Sequence, residues 1–187
     1  GVLNELQLNK KSESENLKTA AEVETLISKS EEKAIKQLEV LLKKYKGTSQ
    51  EPDLLFRLAE LYARRAKTGR FVDLYRGEKT LAEILTPKLT AVGAKTYLSQ
   101  AITNYLRIFH QFPKYPALDE VLFNMAFAYE QRGDLDLALK NFLMIVAQFK
   151  SSPLLPETHM ALGELYFMKL KYQESLVNYE KVQEWPD

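Results

Sequence analysis

Cysteine is absent from this chain of 187 residues, which excludes disulfides, thiolate catalysis and thiolate metal ligation. The absence does not choose a compartment, because a chain without thiols is compatible with oxidising and reducing surroundings alike. Histidine occurs only twice, leaving little material for a zinc or haem site. Glycine and proline are scarce, at seven each, so the chain has few places where a helix is forced to stop. There is no excess of one charge: 26 basic against 25 acidic residues leave a formal net charge of +1. Such a balance provides no overall field to draw in nucleic acid or an anionic membrane, and any electrostatic selection must come from local patches. No apolar run approaches the roughly 18 to 20 residues that a membrane-spanning helix needs. The chain opens at Gly1 with neither Met nor a signal-peptide pattern, so a processed or engineered start is expected.

What is present is helix-forming material. Apolar residues make up 45% of the chain and charged residues 27%, a balance that supports a packed core and carries no signature of disorder. Between the glycines and prolines the apolar residues recur at three- and four-residue steps, the period of a helix with one buried face. The expected class is all-α. Residues 1–16 are polar and weakly patterned, which predicts a flexible or partly helical lead-in. A first helix is expected over about 17–27. Ser28 stands three residues ahead of Glu31, a capping-box spacing, before a second helix that carries Ala34, Leu38, Leu41 and Leu42 and can end at Gly47. Further helices are predicted at about 53–66, 95–111, 119–132, 135–149, 157–169 and 172–184, with Gly133 in a tight interhelical turn.

The chain also repeats itself. At a shift of 37 residues Ala101, Ala138 and Ser175 fall into one column, Tyr105, Phe142 and Tyr179 into a second, and Pro116 and Pro153 into a third. A fixed period in the 30s with small and aromatic residues at constant offsets marks an array in which each unit buries its apolar face on the next. Where two antiparallel helices cross, a small residue lets the backbones approach and an aromatic from the facing helix fills the neighbouring hole.

The segment LFNMAFAYEQRGDLDLALKNF, with Met125, Ala126, Tyr129, Gly133, Ala138 and Phe142, resembles the tetratricopeptide motif. MALGELYFMKLKYQESLVNY repeats it with Leu162, Gly163, Tyr166, Ser175 and Tyr179, departing from the family pattern at Leu170, where a turn glycine is usual, and at Ser175, where alanine is usual. The resemblance implies helix-turn-helix repeats stacked into a right-handed superhelical solenoid. The period of 37 exceeds the usual 34 of the motif through the linkers FPKYPALDE and FKSSPLLPE. Such prolonged linkers resemble those of bacterial envelope-associated tetratricopeptide proteins. The resemblance therefore favours a bacterial periplasm or envelope location, with the cytoplasm as the alternative.

The first half keeps the same register once an interruption is allowed. Leu58, Ala59 and Tyr62 precede Met125, Ala126 and Tyr129 by 67 residues, which is 37 plus 30. The expected organisation is one continuous solenoid: a lead-in over 1–16, a degenerate first repeat over 17–51, a repeat over 52–118 split by an insertion at about 67–94, and repeats over 119–155 and 156–187. A short helix at about 72–86 is plausible inside the insertion, before Pro87. Insertions in repeat arrays emerge on one face and often bind partners. Arg65, Lys67, Arg70, Arg76 and Lys79 make this one a candidate patch for an anionic partner, since arginine binds oxyanions bidentately. The alternative is a solvated face balanced by Asp73, Glu78 and Glu83.

In a tetratricopeptide superhelix the first helix of each repeat lines a concave groove. Transferred residue by residue, the resemblance assigns Phe56, Arg57, Glu60 and Arg64 to that groove from the split repeat. It adds Phe123, Asn124, Phe127, Glu130 and Gln131 from the next, and Met160, Glu164, Phe167 and Met168 from the last. Family members that clamp a terminal carboxylate use lysine and asparagine where Phe123 and Phe127 stand, so a carboxylate clamp is not expected. Aromatic and methionine side chains suit an apolar helix or an extended segment; they could equally pack against the insertion or an adjoining helix.

No catalytic residues, metal ligands or cofactor are assigned. His110 falls in the last turn of a helix and complements its dipole, and His159 occupies a helix-packing site. No nucleophile elbow or glycine-rich phosphate loop occurs. Asp53, Glu120 and Glu157 recur beside helix starts, where a carboxylate stabilises the positive end. The expected function is a non-catalytic scaffold or adaptor binding a protein or peptide segment, within a larger envelope-associated assembly. The alternative is a helical region attached to a peptidoglycan-cleaving enzyme. Nucleic-acid binding is not expected, because the groove column reads Phe56, Phe123, Met160 rather than a recurring basic position. The last repeat stops at Trp185, Pro186 and Asp187 without a solvating helix, so a longer array or self-association through an uncapped C-terminal repeat is expected.

Overall fold

The computed structural model describes the backbone of residues 1–75 and 91–186, with side chains except at 21, 68–75, 91 and 92. Seven helices occupy the described residues and no strand does. They are α1 (Val2–Lys44), α2 (Glu51–Tyr75), α3 (Ala91–Gln111), α4 (Leu118–Arg132), α5 (Leu135–Gln148), α6 (Leu155–Met168) and α7 (Tyr172–Val182). Each packs on its neighbours in chain order, with α2 paired to α3, α4 to α5 and α6 to α7. This serial packing is that of an all-helical repeat solenoid.

Two boundaries differ from expectation. The lead-in, the helix at 17–27 and the helix after Ser28 form one helix of 43 residues. Nothing between Val2 and Lys44 stops it, since neither glycine nor proline occurs there. The capping box at Ser28 is not used as a helix start; that hydroxyl is buried and accepts a hydrogen bond from Arg65 Nη1 at 2.6 Å. The second difference is α2, which runs to Tyr75, beyond the expected end at 66, while α3 begins at Ala91 rather than 95. The expected insertion therefore opens and closes inside helices. The short helix proposed for 72–86 overlaps α2 at its start and otherwise lies outside the described residues.

The 37-residue columns are the packing joints. Ala101 and Ala138 are fully buried and Ser175 is buried; Tyr105 and Phe142 are buried beside them. Full burial of a large apolar side chain contributes on the order of 1.5 to 3 kcal/mol, and Leu55, Leu122, Ile145, Leu162 and Leu165 extend one core along the array. The turns repeat as well. Gly133 ends α4 at φ +93°, and the next residue's N–H, on Asp134, donates to the Tyr129 carbonyl at 2.8 Å. After α6 the same bond runs from Lys171 N–H to the Tyr166 carbonyl at 2.8 Å, with Leu170 at φ +61° in the glycine's place. Both satisfy helix-end carbonyls in the Schellman manner.

Polar side chains tie the joints between helices. Tyr62 donates to Glu39 at 2.7 Å and joins α2 to α1. The buried Glu51 accepts from Gly47 N–H at 2.9 Å and from Arg107 at 2.8 Å, joining the α1–α2 turn to α3. Tyr115 donates to Asp53 at 2.9 Å, and Ser152 donates to Asp119 at 2.5 Å. The prolonged linkers are thereby fastened to the starts of α2 and α4. Among the described residues no helix is long and apolar enough to cross a membrane.

Candidate functional site

Helices α2, α4 and α6 carry the side chains assigned to the groove, at matching positions. On α4 the sites 123, 127, 130 and 131 hold Phe, Phe, Glu and Gln; on α6 the sites 37 residues later hold Met, Glu, Phe and Met. Positions i, i+4, i+7 and i+8 fall on one stripe of a helix of period 3.6. The structure leaves this face open to different degrees. Met160, Phe167 and Met168 are exposed at 44%, 57% and 49%, and Phe127 at 36%. Glu164 and Arg57 are exposed as well, whereas Asn124, Glu130, Gln131 and Glu60 are half-buried.

The aromatic residues answer whether the stripe is groove or packing. Phe123, Phe127 and the fully buried Phe142 form an edge-to-face triangle, with centroids 4.9, 5.7 and 5.3 Å apart. Edge-to-face contacts are the favoured geometry for such rings. One side of Phe127 thus locks onto the α4–α5 joint while its other side faces out. Phe56 is more committed: half-buried, it meets Tyr105 at 6.0 Å and Tyr115 at 6.3 Å and braces the α2–α3 joint. On α6, Phe167 meets Tyr172 of α7 at 5.3 Å.

Toward α1 the open surface deepens into a cleft of about 360 Å³ lined by Leu38, Leu41, Arg57, Glu60, Leu61 and Arg64, together with Ala34 and Gln37. Its α2 wall was legible in the register. Its α1 wall was not, because nothing in a degenerate repeat says which face of a long helix its neighbour will cover.

Two carboxylates along this surface hold their protons more tightly than an ordinary glutamate. Burial pushes Glu130 above the ordinary glutamate range, and the charge of Glu164 adds to it. Burial likewise raises Glu120, helped by the charges of Glu60 and Asp119. Desolvation and a like charge both disfavour the ionised form. No ion pair engages Glu130 or Glu164 among the described residues; nearby Arg132 is held by Asp134 at 2.5 Å and Lys169 by Asp136.

The candidate anionic-partner patch needs correction. Arg65 is 2% exposed, and donates to Ser28 at 2.6 Å and to Glu32 at 2.9 Å with its guanidinium over the Tyr97 ring at 5.7 Å. It is a buried tie between α2, α1 and α3 and is not available to an outside anion. Lys67 is exposed on α2. The side chains of Arg70, Arg76 and Lys79 lie outside the described residues. His159 is buried, with Nδ1 2.9 Å from Asn178 Oδ1 and its ring 5.7 Å from Trp185, a packing role.

A second repeating position escaped the sequence reading. Asn104, Asn141 and Asn178 are also spaced by 37, and the last two donate to the carbonyls of Leu137 and Glu174 at 2.7 and 2.8 Å, one helical turn back. The column was readable in principle, but polar residues repeat less conspicuously than aromatic ones.

Residues 120–152 match the family model of the tetratricopeptide repeat. The search of curated proteins returned no match. Among solved structures the chain is similar to BtubC (BKLC) from P. vanneervenii, with a TM-score of 0.40 and 16% identity over 83% of this chain and 72% of that one. It is likewise similar to a protein of Podosopora anserina described as a kinesin light chain with nearly identical TPR-like repeats. There the TM-score is 0.40 and the identity 14%, over 90% of this chain and 94% of that one.

Proposed function

We propose that this chain, which carries a tetratricopeptide repeat at residues 120–152 within an all-helical array, is a non-catalytic scaffold that holds a segment of another protein along α2, α4 and α6. One observation carries the reading: Phe127 on α4 and Met160, Phe167 and Met168 on α6 stand exposed on the helix faces assigned to the groove instead of being turned into the core. Apolar side chains scattered singly on a surface need no explanation, whereas several exposed on one face of a helix, with another on the preceding repeat, support an interaction surface. Flexible thioethers beside aromatic anchors adapt to a partner's side chains, and the stacked repeats hold such anchors in fixed relation.

Pull-down and crosslinking from native cells test this, comparing the parent chain with Met160→Ser combined with Phe167→Ser. These substitutions touch exposed side chains and leave the fold intact, so circular dichroism is expected to be unchanged while specific partners are lost. Recovery of the same partners by both proteins would overturn the assignment.

The prolonged linkers support a bacterial envelope assembly as the setting. Fractionation of native cells checks it, and recovery in the cytoplasm alone would overturn it. The insertion is a second proposed contact, now without Arg65. Replacing residues 76–90 with a glycine-serine linker of equal length should remove a subset of partners and spare those held by the groove.

A further inference from the structure

The α4–α6 half of the groove combines open apolar surface with carboxylates that form no ion pair among the described residues. Its two helices present aromatic and acidic groups in crossed order: Phe127 is in register with Glu164, and Glu130 with Phe167. Neither carboxylate forms an ion pair among the described residues, and the neighbouring cations Arg132 and Lys169 are engaged by Asp134 and Asp136. Beside them Gln131 Oε1 is buried without a hydrogen-bond donor. A buried acceptor without a partner and a half-buried carboxylate beside a like charge both cost free energy. Among the described residues, this surface lacks a donor for Gln131 Oε1 and a cation for Glu130 and Glu164.

We infer that the α4–α6 half of the groove binds a cationic apolar segment, one whose lysine or arginine sits between Glu130 and Glu164 while its apolar side chains lie on Phe127 and Phe167. The inference rests on the groove reading given above and names the partner's chemistry. Charge complementarity selects this occupant. An acidic segment would meet two uncompensated carboxylates, and a purely apolar one would bury Glu130 further without pairing it. A cation relieves both and also finds the exposed face of Phe167, since aromatic faces attract ammonium and guanidinium groups. Burial and the Glu164 charge that hold Glu130 above its ordinary range are what a bound cation would offset. Because the whole chain carries only +1, selection of this kind is local and not a product of net charge.

Fluorescence anisotropy with the full chain tests it, using a labelled peptide in which two lysines are spaced by leucine and phenylalanine, and its counterpart with glutamate for each lysine. The lysine peptide is expected to bind at least about tenfold tighter at low salt, the advantage shrinking as salt screens it. Glu130→Gln with Glu164→Gln should abolish that advantage while retaining apolar binding. Equal affinities, preference for the glutamate peptide, or a preference surviving in the double variant would overturn the inference. If both peptides bind equally and both weaken on Phe167→Ser, the groove stands and only the charge assignment falls. Binding of both peptides that ignores Phe167→Ser, or no binding of either, removes the groove reading as well. A thermal melt confirms that each variant is folded.

Discussion

Gly163 lies directly under the ring of Tyr179: a β-carbon at Gly163 would stand 2.8 Å from Tyr179 Cε1 and 2.9 Å from Cδ1 and Cζ. At the same crossing Ser175 Oγ donates to the Gly163 carbonyl at 2.7 Å. Helices α6 and α7 therefore approach closely enough that one methyl group decides the fit. One repeat earlier, Ala126 and Phe142 occupy the corresponding sites.

Gly163→Ala is expected to destabilise the chain despite alanine's higher helix propensity. The propensity gain is about 1 kcal/mol, and overpacking against a ring costs about 1 to 3 kcal/mol. In a Tyr179→Leu background the sign should reverse, because the obstructing ring is gone. Urea unfolding of the four proteins measures this, and a stabilising Gly163→Ala in the parent chain would refute the packing account.

Leu170 occupies the left-handed region at φ +61°, where Gly133 stands in the preceding repeat. That conformation costs a non-glycine residue roughly 1 to 2 kcal/mol. Glycine loses more backbone freedom on folding, which offsets about 0.5 to 1 kcal/mol of the gain. Leu170 is 71% exposed and contributes little by packing, so Leu170→Gly should stabilise by about 0.5 to 1 kcal/mol. The converse Gly133→Leu should destabilise. Chemical denaturation checks both, and an unchanged midpoint for Leu170→Gly would contradict the strain.

Arg65 and Lys67 stand two residues apart on α2 and should behave oppositely. Arg65→Ala strands the buried Ser28 hydroxyl and removes the partner of Glu32, at a cost of about 2 to 3 kcal/mol. Lys67→Ala, on an exposed site, should change stability by less than about 0.5 kcal/mol. Equal effects would show that Arg65 is not the tie described.

Glu130 gives a pH dependence whose sign follows from its surroundings. Its affinity for protons is higher in the folded chain than in the unfolded one, through burial and then Glu164. Ionised Glu130 therefore opposes folding above its folded pKa, and the penalty fades as pH falls through that value. Glu130→Gln should melt higher than the parent at pH 7, and this advantage from charge should shrink as pH falls and be lost below the ordinary glutamate pKa of about 4.3, where Glu130 is mostly protonated in both states. A variant that melts lower at pH 7 would contradict this. The same substitution is expected to weaken the preference for the cationic segment, so stability and recognition pull in opposite directions at this residue.

Much of the architecture was legible in the residues. The helices from Leu118 onward were readable because periodic apolar faces, Gly133 and the linker prolines mark them locally. The joint columns were readable because Ala101, Ala138 and Ser175 must be small for helices to cross. The groove positions came from the register. How far each is open did not: Phe56, Phe123 and Met160 share one column, yet Tyr105 and Tyr115 cover the first, Phe142 packs on the second, and Met160 alone of the three is exposed.

By itself the sequence determined the helical class, the repeat length, the turn positions and the small-to-aromatic pairing, all consequences of local periodicity and of residue size at fixed offsets. Only the tertiary structure decided that α1 runs unbroken through Ser28, that α2 continues to Tyr75, and that Arg65 turns inward. It alone set the charge of Glu164 against Glu130, with neither in an ion pair among the described residues. The physical reason is common to these cases. A side chain's exposure and charge environment depend on which neighbouring helix covers it, and that is set by contacts between residues tens of positions apart.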